Sequence, residues 1–417
     1  MSRHRAALIS LFDRVRKLEA DPFGGRLVGL SIQEELIDRV SKAERSIRRL
    51  RGRIGETKQA LRHRGNTKSV AAAHKAQIQR LFDAVERQKD IIDTLRDIGD
   101  AVAFIYVDRF DLKPLAFKEA PGFITGKRGA RLERQTFRMA YEKGFVGILN
   151  DLTHTLRHGD VTIIGEDQPM TLIECKSGKG GKRSRGERQV AEAQIMLDYL
   201  RDDIRNEEGG SWHRVAALEP PVSLAEKATS LVQRLPDGGW LREEVEPGLH
   251  YVVVDCLIED GGIDQALSHV DPEWKPYVIM VNQMKRAELG YMPFPLHFTD
   301  VEVTYRFYNG EFVMAVIVEL RTVAKRLAEL GFLLEVMDDD EMPFKLSPLG
   351  GDEEDEETAG VSFVGFHPMG RLAAEFVSLE WLVCNMMAGP PLDHLLDELR
   401  EQAGKPPRAL DHSTLEP

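Results

Sequence analysis

Between Leu36 and Leu95 apolar residues recur every three or four positions, and this spacing constrains the fold more than any other feature of the chain. They run Leu36, Val40, Ala43, Ile47, Leu50, Ile54 and Leu61. After Arg64-Gly65-Asn66-Thr67 they resume as Ile78, Leu81, Val85, Ile92 and Leu95, with Gln88 as the interruption. Two heptad-like seams joined by a turn predict an antiparallel helical hairpin with about thirty residues per arm. Residues 1–64 carry sixteen Lys or Arg against eight Asp or Glu. The arm therefore has two readings: a packing or dimerisation element, or a nucleic-acid clamp built on Arg45, Arg48, Arg49, Arg51 and Arg53.

Beyond the arm the period changes. Ala101–Val107 reads as a short strand and Gly122–Arg128 as loop; residues 130–143 have helical spacing and stop at Gly144. Extended runs are expected over Asp160–Ile164 and Met170–Cys175, then a helix from about Gly186 to Arg201. An irregular stretch, 205–248, precedes strands at His250–Leu257 and Tyr277–Val281. Asn309-Gly310 predicts a hairpin between 301–308 and 311–320. Three regions result: a helical hairpin over 1–110, an α/β core over 111–285, and a mixed α+β extension over 286–417 with an acidic loop at 351–358.

Composition excludes several classes. Apolar runs such as Tyr251–Val254 and Val313–Val318 fall far short of the ~20 residues a bilayer requires. The start, Met1 to Arg5, leads into a charged amphipathic stretch rather than a signal-peptide core. Cys175, Cys256 and Cys384 lie far apart, which argues against a disulfide framework or a cysteine zinc site and fits a reducing cytoplasm. The net charge is −12, but residues 176–188 hold six basic side chains and one acidic, whereas 335–357 hold eleven acidic and one lysine. Capture of a polyanion depends on such local fields, so the total does not exclude nucleic acid.

The segment with chemical content is His158-Gly159-Asp160-Val161-Thr162-Ile163-Ile164, the turn Gly165–Pro169, and Met170-Thr171-Leu172-Ile173-Glu174-Cys175-Lys176. Folded as an antiparallel hairpin centred on Asp167, it sets Asp160 opposite Glu174 and pairs Val161 with Ile173. Directly opposed carboxylates repel unless a cation lies between them. Lys176, two residues on, shares a face with Glu174. Carboxylate oxygens suit Mg²⁺ or Mn²⁺ rather than Zn²⁺, and a lysine beside such an ion can orient a water. The tripeptide alone carries no weight, because Glu56–Lys58, Asp111–Lys113 and Glu273–Lys275 repeat it. Only Glu174–Lys176 ends an apolar strand with an aspartate one hairpin upstream.

Asp160…Glu174-Cys175-Lys176 resembles the signature of the PD-(D/E)XK nuclease superfamily, and the likeness covers roughly residues 125–285. The resemblance implies a restriction-endonuclease-like mixed sheet flanked by helices, with Tyr251–Leu257 as the strand after helix 186–201. It implies metal ligation by Asp160, Glu174 and the backbone carbonyl of Cys175. Glu133, in a stretch like the family's first helix, is a third acid by the same likeness. Gln194 is the match to a supporting glutamine, with Gln189 its rival. The family's proline before the aspartate is replaced by Gly159. Cys175 itself reads as a buried, inert thiol.

The basic loop Ser177–Arg185 lacks phosphate-loop spacing. It reads either as a grip on phosphate backbone through Lys179, Lys182, Arg183 and Arg185 or as a solvated loop. His154 and His158 share an HxxxH spacing without an evident third ligand. Asp255 reads as a strand-end cap, and the four tryptophans as packing. The expectation is a cytoplasmic, Mg²⁺- or Mn²⁺-dependent endonuclease acting on DNA, with RNA as the alternative substrate, serving in defence against foreign DNA. A homo-oligomer through the amino-terminal helices, or a partner protein, accompanies that expectation. The competing readings are a coiled-coil adaptor of a larger complex whose nuclease fold does not cut, and an RNA-directed nuclease toxin.

Overall fold

The computed structural model describes residues 3–63, 65–107, 122–127, 129–166, 168–175, 204–207, 210–213, 219–257, 262–268, 270–271, 273, 275–287, 291–339, 342–350 and 361–387. The protein is a mixed α/β chain with long amino-terminal helices and small antiparallel sheets. It divides into two compact units, Met1–Gln194 with Met292–Leu296, and Ile195–Tyr291 with His297–Pro417.

In the first unit, α1 (Arg3–Ala20), α2 (Arg26–Leu61) and α3 (Lys68–Tyr106) precede α4 (Ala130–Glu142). An antiparallel sheet then follows in the order β1 (Val146–Leu149), β2 (Val161–Gly165), β3 (Gln168–Ile173). The helical hairpin forms as its seams require. Leu36, Val40, Ala43, Ile47 and Ile54 of α2 are buried, as are Leu81, Val85, Ile92 and Leu95 of α3. Full burial of each large aliphatic side chain contributes about 1.5–3 kcal/mol. The turn is closed by side chains: Asn66 Nδ2 donates to the Ala60 carbonyl at 2.8 Å, and the Thr67 hydroxyl accepts from Val70 N–H at the start of α3. Helix α1 adds Leu11, Phe12, Val15 and Leu18 to the same core.

The strand expected at Ala101–Val107 is instead the last turns of α3. Ile98 through Phe104 are buried without a break, and a helix surrounded on all sides has no polar face to give it a readable period. Helix α2 also closes the edge of the sheet. The buried Gln33 side chain donates to the Gly147 carbonyl at 2.8 Å and accepts from Leu149 N–H at 3.0 Å. One amide thereby stands in for a neighbouring strand along β1.

The second unit contains a hairpin of β4 (Ile204–Glu207) and β5 (Gly210–His213), then α5 (Ala225–Gln233), β6 (Trp240–Glu246), β7 (Leu249–Asp255), α6 (Gly262–Leu267), β8 (Pro276–Met280) and α7 (Val281–Ala287). It continues with α8 (Val301–Tyr308), β9 (Phe312–Glu319), α9 (Leu320–Glu329), β10 (Phe332–Val336), β11 (Phe344–Pro348), β12 (Ser362–Val364), α10 (Phe366–Ala374) and α11 (Leu379–Leu382). Its main sheet is antiparallel, in the order β6-β7-β9-β8, with β7 wholly buried. Tyr251, Phe298, Phe307, Phe312 and Phe376 fill an aromatic cluster with centroids 5.1–6.3 Å apart.

Three expectations change here. The strand at Tyr251–Leu257 pairs with β6 and β9, not with the Asp160 hairpin, so the described sheet around Asp160 is purely antiparallel. The stretch 205–248 holds β5, α5 and β6 rather than irregular chain. Residues 301–308 are helix, because Asp300 caps them by accepting from Glu302 N–H and Val303 N–H. Asn309-Gly310 ends that helix, with Gly310 at φ +70°, before β9 begins. Among the described residues no helix is long and apolar enough to cross a membrane. The expected helix 186–201 and the acidic loop 351–358 lie outside the described residues.

Candidate metal centre

The hairpin forms in the expected register. Val161 faces Ile173 and Thr162 faces Leu172, while a bulge between Ile163 and Gly165 shifts the tip to Gly165 opposite Gln168. Just past the last pair, Asp160 N–H donates to the Ile173 carbonyl at 2.8 Å. Cys175 N–H in turn donates to Asp160 Oδ2 at 2.7 Å. Asp160 therefore lies across from Glu174 at the base of the hairpin. Gly159 has φ +73°, and a Cβ there would stand 3.1 Å from the Ile173 carbonyl oxygen. Proline cannot adopt that angle, so glycine suits this position.

Helix α4 supplies the third acid. Phe137, Ala140 and Tyr141 are its buried face, and it approaches β1 closely enough that a Cβ at Gly147 would meet the Phe137 carbonyl at 2.9 Å. That packing carries Glu133, in the first turn and 6% exposed, toward the hairpin base. Glu133 Oε1 and the Cys175 carbonyl oxygen lie 2.8 and 3.8 Å from the point a Cβ of Gly129 would occupy. The glycine leaves room between them, and both are hard oxygen donors of the kind Mg²⁺ and Mn²⁺ prefer.

Two residues join the site that the sequence reading missed. Asp151 follows β1, and its carboxylate is paired with the Lys127 ammonium. The available signal was the apolar run Phe145–Leu149 ending in Asn150-Asp151. The helical hairpin holds both loops. From α2, buried Glu44 accepts from Ile124 N–H at 2.7 Å and Thr125 N–H at 2.9 Å. From α3, Asp100 accepts from the His154 and Thr155 N–H groups, and Arg96 donates to the Asp151 carbonyl at 3.3 Å. A Cβ at Gly99 would lie 1.9 Å from the Leu152 carbonyl oxygen, so the α3 backbone rests directly on this loop.

Burial raises the Glu133 carboxyl above its ordinary range; the nearby Asp160 and Asp151 charges act the same way, and Lys127 opposes them. Asp160 is also raised, chiefly by burial and further by Asp151, against the Cys175 N–H bond and Lys127. Acids that resist ionisation in one another's presence are stabilised in their charged form by a cation. The half-buried Cys175 thiol is pushed up chiefly by burial and further by the Asp160, Glu133 and Glu174 charges, against its hydrogen bond to the Thr136 hydroxyl at 3.6 Å.

Glu174 is half-buried at the hairpin base, and its charge bears on the Cys175 thiol. Lys176, Lys179, Lys182, Arg183, Arg185, Gln189 and Gln194 lie outside the described residues. Among the described residues two tighter sets have ligand atoms within 4.8 Å of one another: Asp97, Asp100 and His154, and Glu244, His250 and Glu319. In the first, Asp100 is taken up by the 154–155 backbone; in the second, His250 Nε2 and Glu319 are 2.7 Å apart. His154 thus has acidic neighbours that its spacing to His158 did not suggest. Asp255 caps its strand end as expected, accepting from Leu257 N–H at 2.6 Å. No protein-family model, curated protein or solved structure matches the chain.

Proposed function

We propose that the protein is a metal-dependent nuclease with a restriction-endonuclease-like core, hydrolysing phosphodiester bonds of DNA. The observation that carries this reading is the meeting of Glu133, Asp160 and the Cys175 carbonyl at the base of a hairpin whose register sets Asp160 across from Glu174. These are among the residues the PD-(D/E)XK resemblance assigns to the metal. Defence against foreign DNA is the role this resemblance favours.

Glu133, Asp160, Glu174 and the Cys175 carbonyl would hold Mg²⁺ or Mn²⁺. When bound, the ion supplies a water of lowered pKa and charge neutralisation at the scissile phosphate. The protein's own contribution is position. The Cys175 N–H bond fixes the Asp160 carboxylate, Asn150 ties the turn by donating to the His158 carbonyl at 2.7 Å, and Lys127 offsets the surplus negative charge. Lys176 orients the attacking water by the same resemblance.

The test is incubation of the purified protein with supercoiled, linear and single-stranded DNA and with RNA, in Mg²⁺, Mn²⁺ or excess chelator. Divalent-dependent DNA cleavage that Asp160→Asn and Lys176→Ala abolish is the expected result. Full cleavage by either variant, or by the wild type in chelator, overturns the reading; cleavage of RNA alone transfers it to the alternative substrate.

A further inference from the structure

Helices α2 and α4 enclose an open groove of about 730 Å³ lined by Arg45 from α2 and by Arg131, Arg134 and Arg138 from α4, against two carboxylates, Asp38 and Glu142. Arg138 is engaged by Glu34 at 2.9 Å. Among the described residues no hydrogen bond or ion pair holds Arg45, Arg131 or Arg134. Other arginines of the expected clamp are used differently, since Arg48 and Arg51 lie over the Phe123 ring at 5.3 and 5.7 Å. Guanidinium groups facing one another across a groove repel, and a bound polyanion relieves that repulsion while releasing counterions.

We infer that this groove is a track for one strand of nucleic-acid backbone leading to the acid site. Arg131, Arg134 and Arg138 recur at three and four residues, so they form a row along α4 of about 10 Å, and Arg45 faces that row from α2. Gly126 and Ala130 line the groove, and Gly129, adjacent to Ala130 in the chain, lies beside Glu133 and the Cys175 carbonyl. Contacts of this kind are made to phosphates and carry no base information, so the track binds without sequence preference.

The inference rests on the nuclease reading for its substrate, but the two are separable by experiment. The full chain with Arg45→Gln, Arg131→Gln and Arg134→Gln together is compared with the wild type and with the triple Lys variant. Anisotropy of labelled 20-mer single-stranded and duplex DNA is read in Ca²⁺ from 50 to 200 mM salt, and cleavage is read separately in Mg²⁺. The Gln variant should bind at least ~10-fold more weakly, with a log–log salt slope reduced by about 2.1 on single strands and about 2.7 on duplex, whereas the Lys variant should keep both affinity and slope. Unchanged affinity and slope in the Gln variant overturns the track, as does a wild type that binds no DNA; a groove that docks a protein instead gives the former result. Cleavage by the wild type combined with unaltered binding by the Gln variant removes the track and leaves the nuclease. Weakened binding by the Gln variant with no cleavage by any form keeps the track and removes the nuclease.

Discussion

The Cys175 amide donates to Asp160 Oδ2 at 2.7 Å, so the residue inside the motif locks the carboxylate on the facing strand, while its carbonyl oxygen and Glu133 Oε1 both border the space beside Gly129. An asparagine at 160 retains an oxygen that can accept the same bond.

Asp160→Asn is therefore expected to keep the hairpin while removing one ligand charge. Its melting temperature should stay within a few degrees of wild type, and cleavage should fall at least ~10²-fold, the scale of losing one positioned catalytic group. Raising Mn²⁺ should recover part of the rate by mass action, which single-turnover assays across a Mn²⁺ series measure.

Gln33→Leu removes the amide that pairs with Gly147 and Leu149. It leaves the buried Leu149 N–H without its side-chain partner, at a cost of about 1–3 kcal/mol, while the Gly147 carbonyl still accepts from the Tyr141 hydroxyl at 3.0 Å. The midpoint of urea unfolding should drop accordingly. Gln33→Glu, which keeps the acceptor for Leu149 N–H and loses the donor, should fall between the two.

Gly99→Ala places a methyl group on the Leu152 carbonyl and must displace either α3 or the loop that carries Asp151. Activity should drop by more than stability accounts for. Comparing cleavage at a temperature where the variant is fully folded by circular dichroism checks this.

The raised carboxyls give a pH signature. A carboxyl whose folded pKa exceeds its unfolded value takes up protons on folding. Without divalent ions, stability should therefore fall as pH rises from the ordinary carboxylate range through the raised values of Glu133 and Asp160. A bound cation favours the ionised forms, so Mg²⁺ or Mn²⁺ should raise the melting temperature more at pH 7.5 than at pH 5. Glu133→Gln should be less sensitive to both pH and metal. An equal metal shift at the two pH values contradicts a carboxylate site.

The helical arm and the hairpin register were legible in the sequence because each rests on one strong period, seven for the seams and two for Val161 against Ile173. The strand misread at Ala101–Val107 and the helix missed at 301–308 share a cause. Total burial erases the amphipathic pattern in the first, and in the second a turn signal valid for hairpins also ends helices. Lys127 and Asp151 stayed hidden for another reason. They reach the site through loops whose course is set by Glu44, Asp100 and Gly99, residues remote in sequence whose contacts no local pattern encodes.

Glu44 and Asp100 also give the long arm a mechanical meaning. Each helix of the hairpin grips one loop of the site, α2 from its midpoint at Thr125 and α3 near its carboxy end at Thr155, so the hairpin is a bracket whose jaw spacing sets the distance between the segments bearing Lys127 and Asp151. The turn at 62–67 lies roughly 30 Å along α2 from Glu44. Insertions at that tip leave the jaw untouched, whereas any ligand that wedges the two helices apart at the jaw spreads the site with them.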